Sequence, residues 1–252
     1  MGKIRIIPCL DIKDGRVVKG VNFENLSEIG DPIKQASFYN EEKADELVLL
    51  DICATKEKRK PIFDIVRQIS EKISIPIIVG GGIKNVKDIE ELFNAGASKI
   101  SINTSAMQNP SLIEDGAKKF GSERIVVAID GKKTTPERWE VFIEGGKTST
   151  DVNVVNWARV VESLGAGEIL LTSMDTDGTK KGYDITMTQT VCDSVNIPVI
   201  ASGGAGTLEH IHQVLTEGKA SAVLLASLLH YKTLTIKEIK TFLQEKGIEI
   251  SL

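Results

Sequence analysis

The sequence contains few of the residues that build disulfide frameworks or zinc centres. Among its 252 residues are three cysteines and three histidines. Cys9, Cys53 and Cys192 are widely spaced and form no CxxC pair, which is more typical of a reduced cytosolic protein than of a disulfide scaffold. The histidines fall late in the chain, away from the strand ends predicted below: His210, His212 and His230. We therefore expect no zinc site.

The sequence also lacks long apolar runs and a strong excess of one charge. No apolar stretch is long enough to span a bilayer, and the first fifteen residues have neither the length nor the cleavage pattern of a signal peptide. The formal net charge of −4 argues against a general nucleic-acid binder. We expect a cytoplasmic protein with neither a membrane nor a nucleic acid as its partner.

Short apolar, β-branched runs alternate with longer amphipathic stretches along the whole chain. The runs predict buried parallel strands at 4–11, 46–51, 75–81, 98–103, 124–130, 167–173, 197–203 and 221–227. Eight such units in a chain of this length predict one (β/α)₈ TIM barrel over residues 1–252. A doubly wound open sheet is the alternative, and the even spacing favours closure of the barrel.

The chain repeats itself at about half its length. The segment "IPIIVGGGI" (75–83) returns as "IPVIASGGA" (197–205). Two further pairs at strand ends have nearly the same offset: Asp11 with Asp130, and Asp51 with Thr172. These pairs predict two half-barrels, at about 1–121 and 122–252, related by a pseudo-two-fold axis. Glycine after a barrel strand can also simply relieve packing, but several matched pairs favour the repeat.

The repeated glycine segments predict two anion sites. In such barrels, phosphate sites favour the loops after strands seven and eight, here "ASGGAG" (201–206) and "LAS" (225–227). Glycine lets the backbone approach an anion, and the helix that follows presents free N–H groups. By the repeat, "VGGGI" (79–83) and "NTS" (103–105) form a second site. Two anion sites across the barrel mouth indicate an elongated ligand with a phosphate at each end.

Asp11 and Asp130 lie between the two predicted anion sites. Two carboxylates that face each other across a ligand suit general acid–base catalysis. Each could instead cap a helix or pair with a lysine such as Lys13, Lys19 or Lys132. Strand-end carboxylates could also bind Mg²⁺ or Mn²⁺, and these are Asp11, Asp51, Asp130 and Asp177. We favour catalysis, with no metal and no cofactor.

Four charged residues are predicted at the opposite end of the barrel. Alternation along the strands turns one side chain from each of four strands toward the barrel axis: Arg5, Glu46, Lys99 and Glu168. Charges at strand starts can form a solvated rim. Two basic and two acidic residues could also form a neutral ring that plugs the barrel and opens to something small and polar.

Seven segments carry a specific resemblance that extends from Arg5 to about Ile239. They are "IIPCLDIKDGRVVKGVNFENL", "DELVLLDICAT", "VGGGI", "KISINTSA", "VVAIDGK", "GAGEILLTSMDTDGT" and "IASGGAG". This set resembles the cyclase subunits of imidazole glycerol phosphate synthase, a half-barrel family of histidine biosynthesis. The resemblance implies that ammonia reacts with a bisphosphorylated ribulosyl formimino aminoimidazole carboxamide ribonucleotide. The implied products are imidazole glycerol phosphate and an aminoimidazole carboxamide ribonucleotide.

The resemblance also implies roles for individual residues. Asp11 and Asp130 would be the acid–base pair, and Lys19 would order the loop 14–30 over the substrate. One phosphate would meet Gly82, Asn103 and Thr104. The other phosphate would meet Asp177, Gly178, Gly203, Gly204, Ala226 and Ser227, largely through backbone amides. Thr172 and Ser202 are further candidates for substrate binding. A glutaminase subunit would dock at the barrel bottom and supply ammonia through a gate of Arg5, Glu46, Lys99 and Glu168.

The sequence departs from the family pattern at two positions. Ser98 stands in "GASK" where aspartate is common, and Thr176 stands in "DTDGT" where arginine is common. A hairpin-like insertion at 138–150 is predicted to cover the site. Two rivals remain: the sister aminoaldose–ketose isomerase of the same fold, and a cyclase-like ammonia conduit for sugar amidation. The "ENL" segment and the intact ring of charges favour the cyclase over the isomerase, and retention of both aspartates argues against the conduit.

Overall fold

The computed structural model of the chain describes residues 3–21, 24–54, 57 and 62–251. In these ranges the strands are β1 (Arg5–Lys13), β2 (Arg16–Val21), β3 (Glu24–Gly30), β4 (Leu47–Asp51), β5 (Ile77–Gly80), β6 (Lys99–Ile102), β7 (Ile125–Thr135), β8 (Arg138–Ile143), β9 (Thr148–Asn153), β10 (Glu168–Ser173), β11 (Val199–Ser202) and β12 (Ala222–Leu225).

The helices of the described ranges follow most of the barrel strands. They are α1 (Pro32–Glu41), α2 (Phe63–Ser70), α3 (Val86–Asn94), α4 (Thr104–Gln108), α5 (Ser111–Phe120), α6 (Val154–Ser163), α7 (Ile185–Cys192), α8 (Leu208–Thr216), α9 (Ser227–His230) and α10 (Ile236–Glu245), with a 3₁₀ turn at Ser122–Arg124. Polar side chains cap several N-termini, as where Asn85 accepts from Asp88 N and Thr207 from His210 N. Within the described ranges no helix is long and apolar enough to cross a membrane.

Eight parallel strands close into a barrel. The ladder runs β1–β4–β5–β6–β7–β10–β11–β12, and β12 pairs again with β1 through Arg5 and Ala222. This closure confirms the predicted (β/α)₈ barrel and excludes the open sheet. Several strands are shorter than predicted: β5 covers Ile77–Gly80 rather than 75–81, and Pro76 contributes only its carbonyl, to Leu47 N at 2.9 Å.

The barrel has two separate apolar layers. A large layer packs the helices against the outer face of the strands. A smaller layer fills the interior with Ile7, Cys9, Val48, Ile78, Val126, Leu170, Ile200, Ala222 and Leu224. Cys9 therefore belongs to the interior, as its position two residues before Asp11 predicts. Seven of the eight barrel strands contribute to both layers, whereas the apolar residues of β6, Ile100 and Ile102, belong to the outer layer alone. Alternation along each strand decides which side chains reach the barrel axis.

Two antiparallel hairpins extend the barrel at matched positions. β1 turns back through Asp14 and Gly15, both with positive φ, into β2, and β2 pairs with β3. β7 likewise continues into β8 and β9. The segment 14–30, predicted as a loop, is thus largely a β-ribbon, although Asn22 and Phe23 lie outside the described residues. The segment 138–150 forms the predicted hairpin.

Matched contacts in the two halves agree with the predicted repeat. A Cβ added to Gly81 would collide with the Asp51 carbonyl, and one added to Gly203 would lie 2.8 Å from the Ser173 carbonyl. At the strand starts, Ser98 Oγ accepts from Ile77 N at 3.2 Å, and Ser221 Oγ accepts from Val199 N at 3.0 Å. Gly81 and Gly203 are therefore required for close packing of the backbone, in addition to their predicted role in binding anions. The division of the chain near residue 121 stays a prediction.

Candidate active site

A cavity of about 380 Å³ opens at the carboxyl ends of the barrel strands. All fourteen residues predicted to act on or bind the substrate line this cavity: Asp11, Lys19, Gly82, Asn103, Thr104, Asp130, Thr172, Asp177, Gly178, Ser202, Gly203, Gly204, Ala226 and Ser227. They come from four barrel strands (β1, β7, β10 and β11), from the hairpin strand β2, and from the segments that follow β5, β6, β10, β11 and β12. The structure therefore brings together residues that the sequence predicts only one by one.

Asp11 lies near the carboxyl end of β1, in contact with a cation. Lys19 Nζ on β2 lies 3.3 Å from Asp11 Oδ2, and the Cys9 thiol lies 3.7 Å from Oδ1. Burial raises the pKa of Asp11, and the ammonium of Lys19 opposes that rise. Burial alone would lower the pKa of Lys19, but the carboxylates of Asp11 and Asp177 outweigh it and the pKa is raised. The lysine therefore stays charged and favours an ionised Asp11.

Asp130 has different surroundings on β7. Its Oδ2 accepts a hydrogen bond from the neutral amide of Asn103 at 2.8 Å, and no cation pairs with it among the described side chains. The pKa of Asp130 is raised to about 7 by burial and by the nearby Asp177, against the lowering effect of the Asn103 hydrogen bond. The two aspartates are thus matched in position but not in charge: near neutral pH, Asp130 can hold a proton.

The first glycine loop lies between β5 and α3. Gly81 and Gly82 have φ of 97° and 74°, and the neighbouring Asn103 before α4 has φ −122° and ψ −83°. The hydroxyl of Thr104 accepts a hydrogen bond from Glu144 N at 3.0 Å. The tip of the β8–β9 hairpin therefore touches this loop pair, and Glu144, Gly145 and Lys147 line the cavity beside it.

The second glycine loop lies between β11 and α8. Gly203 and Gly204 have φ of 91° and 104°, and Ala226 before α9 repeats the backbone of Asn103 with φ −125° and ψ −78°. Thr176 Oγ1 donates to the Gly203 carbonyl at 3.1 Å, so this departure from the family pattern ties the loop after β10 to the glycine loop. Asp177 packs against Gly203 from the same side.

Four charged side chains form a closed ring at the amino ends of the strands. Lys99 Nζ lies 2.9 Å from both Glu46 Oε1 and Glu168 Oε2, and Arg5 Nη1 lies 3.1 Å from Glu46 Oε2. Arg5 also pairs with Glu168 and completes the cycle. Glu46 and Glu168 are 6% and 3% exposed, which contradicts a fully solvated rim. Glu46 lies one residue before β4 yet still faces the ring.

A second cavity of about 700 Å³ opens below this ring. The ring residues form its inner wall, and Ser98, Arg124 and Pro198 also line it. The ring therefore separates the bottom cavity from the apolar barrel interior, which leads to the candidate active site. This order of compartments agrees with the predicted plug.

In the described ranges, no group of three or more His, Cys, Asp or Glu side chains is placed to hold a metal ion. The histidines lie away from the cavity floor, as predicted: His210 and His212 are on α8, and His230 Nδ1 is 2.7 Å from the Tyr39 hydroxyl. The expectation of no metal and no cofactor stays a prediction. Sequence reasoning missed Lys147 and Lys180 in the cavity wall, since no motif carries them.

Comparison with known proteins places the chain among enzymes of one biosynthetic route. The family model described as "Histidine biosynthesis protein" matches residues 5–235. Imidazole glycerol phosphate synthase subunit HisF of Clostridium botulinum strain Okra is 56% identical over 249 residues, which cover 98% of each chain. The proteins of the same name from strains Kyoto and 657 are also 56% identical over 249 residues, again 98% of each chain.

Proposed function

The chain belongs to the histidine biosynthesis protein family, and from that premise we propose that it is the cyclase subunit of an imidazole glycerol phosphate synthase. One observation carries the proposal: a single cavity holds both aspartates and both glycine loops. The substrate is the bisphosphorylated ribulosyl formimino aminoimidazole carboxamide ribonucleotide. The enzyme adds ammonia to it and closes the imidazole ring. The products are imidazole glycerol phosphate and the aminoimidazole carboxamide ribonucleotide.

The different surroundings of the two aspartates suggest how they divide the proton transfers. Lys19 favours the ionised form of Asp11, so Asp11 is the candidate base. Asp130, with its pKa raised to about 7, can keep a proton at neutral pH and is the candidate acid. Ring closure with ammonia needs both a proton acceptor and a proton donor, since nitrogen loses protons and the departing groups gain them.

Each glycine loop would hold one phosphate of the substrate. Gly82, Asn103 and Thr104 serve one phosphate. The second end is served by Thr172, Asp177, Gly178, Ser202, Gly203, Gly204, Ala226 and Ser227. The support is geometric: both glycine loops line one cavity, and their glycines have positive φ, a backbone conformation that lets a loop approach an anion closely.

The ring of Arg5, Glu46, Lys99 and Glu168 would be the gate through which ammonia enters. A glutaminase subunit would bind at the amino-terminal face of the barrel, over the cavity of about 700 Å³. Ammonia released there would pass the ring and cross the apolar interior to the active site. Because the ring is closed by ion pairs here, passage requires that at least one pair opens.

The two alternative functions differ from this proposal in whether they need an ammonia gate and an acid–base pair. The sister isomerase needs no ammonia and no gate, whereas this chain has a complete ring of four charges. A sugar-amidation conduit needs the gate but no acid–base pair, whereas Asp11 and Asp130 face one cavity. The relatives named above carry the synthase-subunit name, which favours the cyclase over both. A cytoplasmic location is part of the proposal.

Turnover with free ammonium salt tests the proposal without any partner. The purified chain should consume the bisphosphate substrate and release imidazole glycerol phosphate. Absence of turnover at high ammonium concentration would refute the proposed function. A separate mixing experiment with the glutaminase encoded in the same genome should give a 1:1 complex by light scattering. If the chain stays monomeric in that mixture, no partner delivers ammonia to the ring, which would contradict its proposed role as a gate.

A further inference from the structure

The charges that line the active-site cavity do not balance a ligand with two phosphates. Five carboxylates and four lysines face it: Asp11, Asp51, Asp130, Glu144 and Asp177, with Lys13, Lys19, Lys147 and Lys180. Lys19 is already paired with Asp11, and Lys13 lies toward Cys53 in the loop after β4. A doubly phosphorylated ligand adds several negative charges to this cavity and needs further cations to bind well.

Lys147 stands at the tip of the β8–β9 hairpin. Glu144, Gly145 and Gly146 all have positive φ and turn the chain, and Lys147 N donates to Ile143 O at 3.1 Å to close the turn. The tip is held on one side by the Glu144–Thr104 hydrogen bond of 3.0 Å. Lys147 is exposed, lines the cavity, and has no ion-pair partner among the residues that the structure describes. Its ammonium is therefore available beside the first glycine loop.

Lys180 stands in the loop after β10, with φ 59°. This loop packs directly on the second glycine loop: Gly182 N donates to Gly204 O at 2.8 Å, and a Cβ on Gly206 would collide with the Lys180 carbonyl. The Lys180 ammonium lies 5.6 Å from the centre of the Tyr231 ring and has no carboxylate partner within the described ranges. The carboxylate of Asp177, in the same loop and against Gly203, repels a phosphate bound here, so a nearby cation is needed to offset that repulsion.

Given the proposed function, on which this inference rests, we propose that Lys147 and Lys180 each pair with one phosphate of the substrate. Lys147 binds the phosphate at Gly82 and Thr104, and Lys180 binds the one at Gly203 and Ser227. The two lysines come from different loops, so each phosphate is held between a glycine loop of the barrel and a cation of a neighbouring loop. Neither lysine takes part in proton transfer.

The two products allow the two lysines to be tested one at a time, because each product carries a single phosphate. Titration calorimetry measures the Kd of imidazole glycerol phosphate and of the aminoimidazole carboxamide ribonucleotide for each variant. Lys147→Gln should raise the Kd roughly ten-fold for the product whose phosphate lies at Gly82 and Thr104, since a charged hydrogen bond to that phosphate is lost. The Kd of the other product should stay within about two-fold. Lys180→Gln should show the opposite selectivity.

Matched controls come from the neighbouring surface. Lys132→Gln on β7 and Lys181→Gln beside Lys180 each remove an exposed lysine that does not line the cavity. Both should leave each Kd unchanged. Lys147→Arg and Lys180→Arg should restore most of the affinity, and in turnover assays the glutamine variants should raise KM more than they lower kcat.

The inference is overturned if either variant weakens the binding of both products equally, or if neither variant weakens the binding of either product. These results are separable from the proposed function, because wild-type turnover with ammonium tests that function alone. If wild type is active but the lysine variants show no selectivity between the products, only the proposed roles of the lysines are refuted. An inactive wild type removes the cyclase proposal, and the calorimetric selectivity still decides whether each lysine serves one anion site.

Discussion

At the scale of single residues, Asp11 and Asp130 occupy matched positions with different electrostatic surroundings. Both lie near the point where a barrel strand, β1 or β7, leaves its parallel neighbour and continues into a hairpin, and both face one cavity. Lys19 stands beside Asp11, whereas Asp130 has the Asn103 amide as its hydrogen-bond partner and Asp177 nearby. The pairing of Asp11 with Lys19, considered from the sequence as an alternative to catalysis, is present. It is compatible with catalysis because it favours the form of Asp11 that accepts protons.

The raised pKa of Asp130 predicts a falling limb in the pH profile. If protonated Asp130 is the acid, kcat/KM for the bisphosphate should decrease as pH rises through about 7, because the proton is lost. The concentration of free ammonia rises with pH, so each assay must hold free ammonia constant rather than total ammonium. A rate that stays flat from pH 6 to 9 under that condition would contradict the acid role.

The same shift predicts a stability gain on substitution of Asp130. The native state binds the proton more tightly than the unfolded chain, whose aspartates titrate near 3.9. Ionised Asp130 therefore destabilises the native state above pH 7, and this cost vanishes below about pH 4, where both states are protonated. Asp130→Asn should raise the free energy of unfolding at pH 8 by up to roughly 4 kcal/mol, at about 1.4 kcal/mol per pKa unit.

Asp11→Asn is the contrasting variant. It removes the partner of Lys19 and leaves a buried ammonium unpaired, so it should lower stability. Urea unfolding of both variants at pH 8 and pH 4 measures the difference. If Asp130→Asn is as destabilising at pH 8 as Asp11→Asn, the raised pKa of Asp130 is wrong.

At the scale of elements, the two hairpins position parts of the site that no single motif encodes. The β8–β9 hairpin is fastened at its base, where the Trp139 Nε1–H donates to Asp184 Oδ2 at 2.8 Å, and at its tip, where Glu144 meets Thr104. The side chain of Trp139, on β8 itself, is fully buried. The hairpin thus carries Lys147 to the cavity on a framework held at both ends.

Trp139→Phe should loosen this hairpin. Loss of the indole hydrogen bond and of part of the buried ring should lower the free energy of unfolding by about 1–3 kcal/mol. The KM for the bisphosphate should rise because the hairpin tip is less well placed. Trp157→Phe, a buried tryptophan on α6, is the matched control and should leave KM unchanged. Equal KM values for the two variants would contradict this role of the hairpin.

The sequence predicts the parts of the site that depend on local pattern. Strand ends, glycine turns and alternation locate Asp11, Asp130 and the ring, because periodicity alone decides which face a strand residue occupies. The sequence does not predict which loops meet. The contacts of Glu144 with Thr104 and of Gly182 with Gly204 join distant segments, so Lys147 and Lys180 become visible only in the folded chain.

At the scale of the whole molecule, the barrel connects two openings through an apolar interior. Charges close the lower end, and the candidate active-site cavity occupies the upper end. The four ring residues come from four strands that lie far apart in sequence, so the ring also ties the barrel together. Buried ion pairs of this kind stabilise little as a whole, but removal of one partner is costly.

Lys99→Met should therefore lower the free energy of unfolding by about 3–5 kcal/mol, because Glu46 and Glu168 keep only Arg5 as a counterion. Lys219→Met is the matched control on the molecular surface. It breaks the exposed pair with Asp193 at 2.6 Å and should cost at most about 1 kcal/mol. Guanidinium unfolding curves distinguish the two. A loss below 1 kcal/mol for Lys99→Met would show that the ring is loosely held and solvated.

The most direct test of the central claim is turnover of the bisphosphate substrate with free ammonium, measured for wild type, Asp11→Asn and Asp130→Asn at one pH. Wild type should produce imidazole glycerol phosphate, and each variant should lose at least about a hundred-fold in rate while circular dichroism shows that the fold is retained. Full activity in either folded variant would contradict the acid–base roles of Asp11 and Asp130.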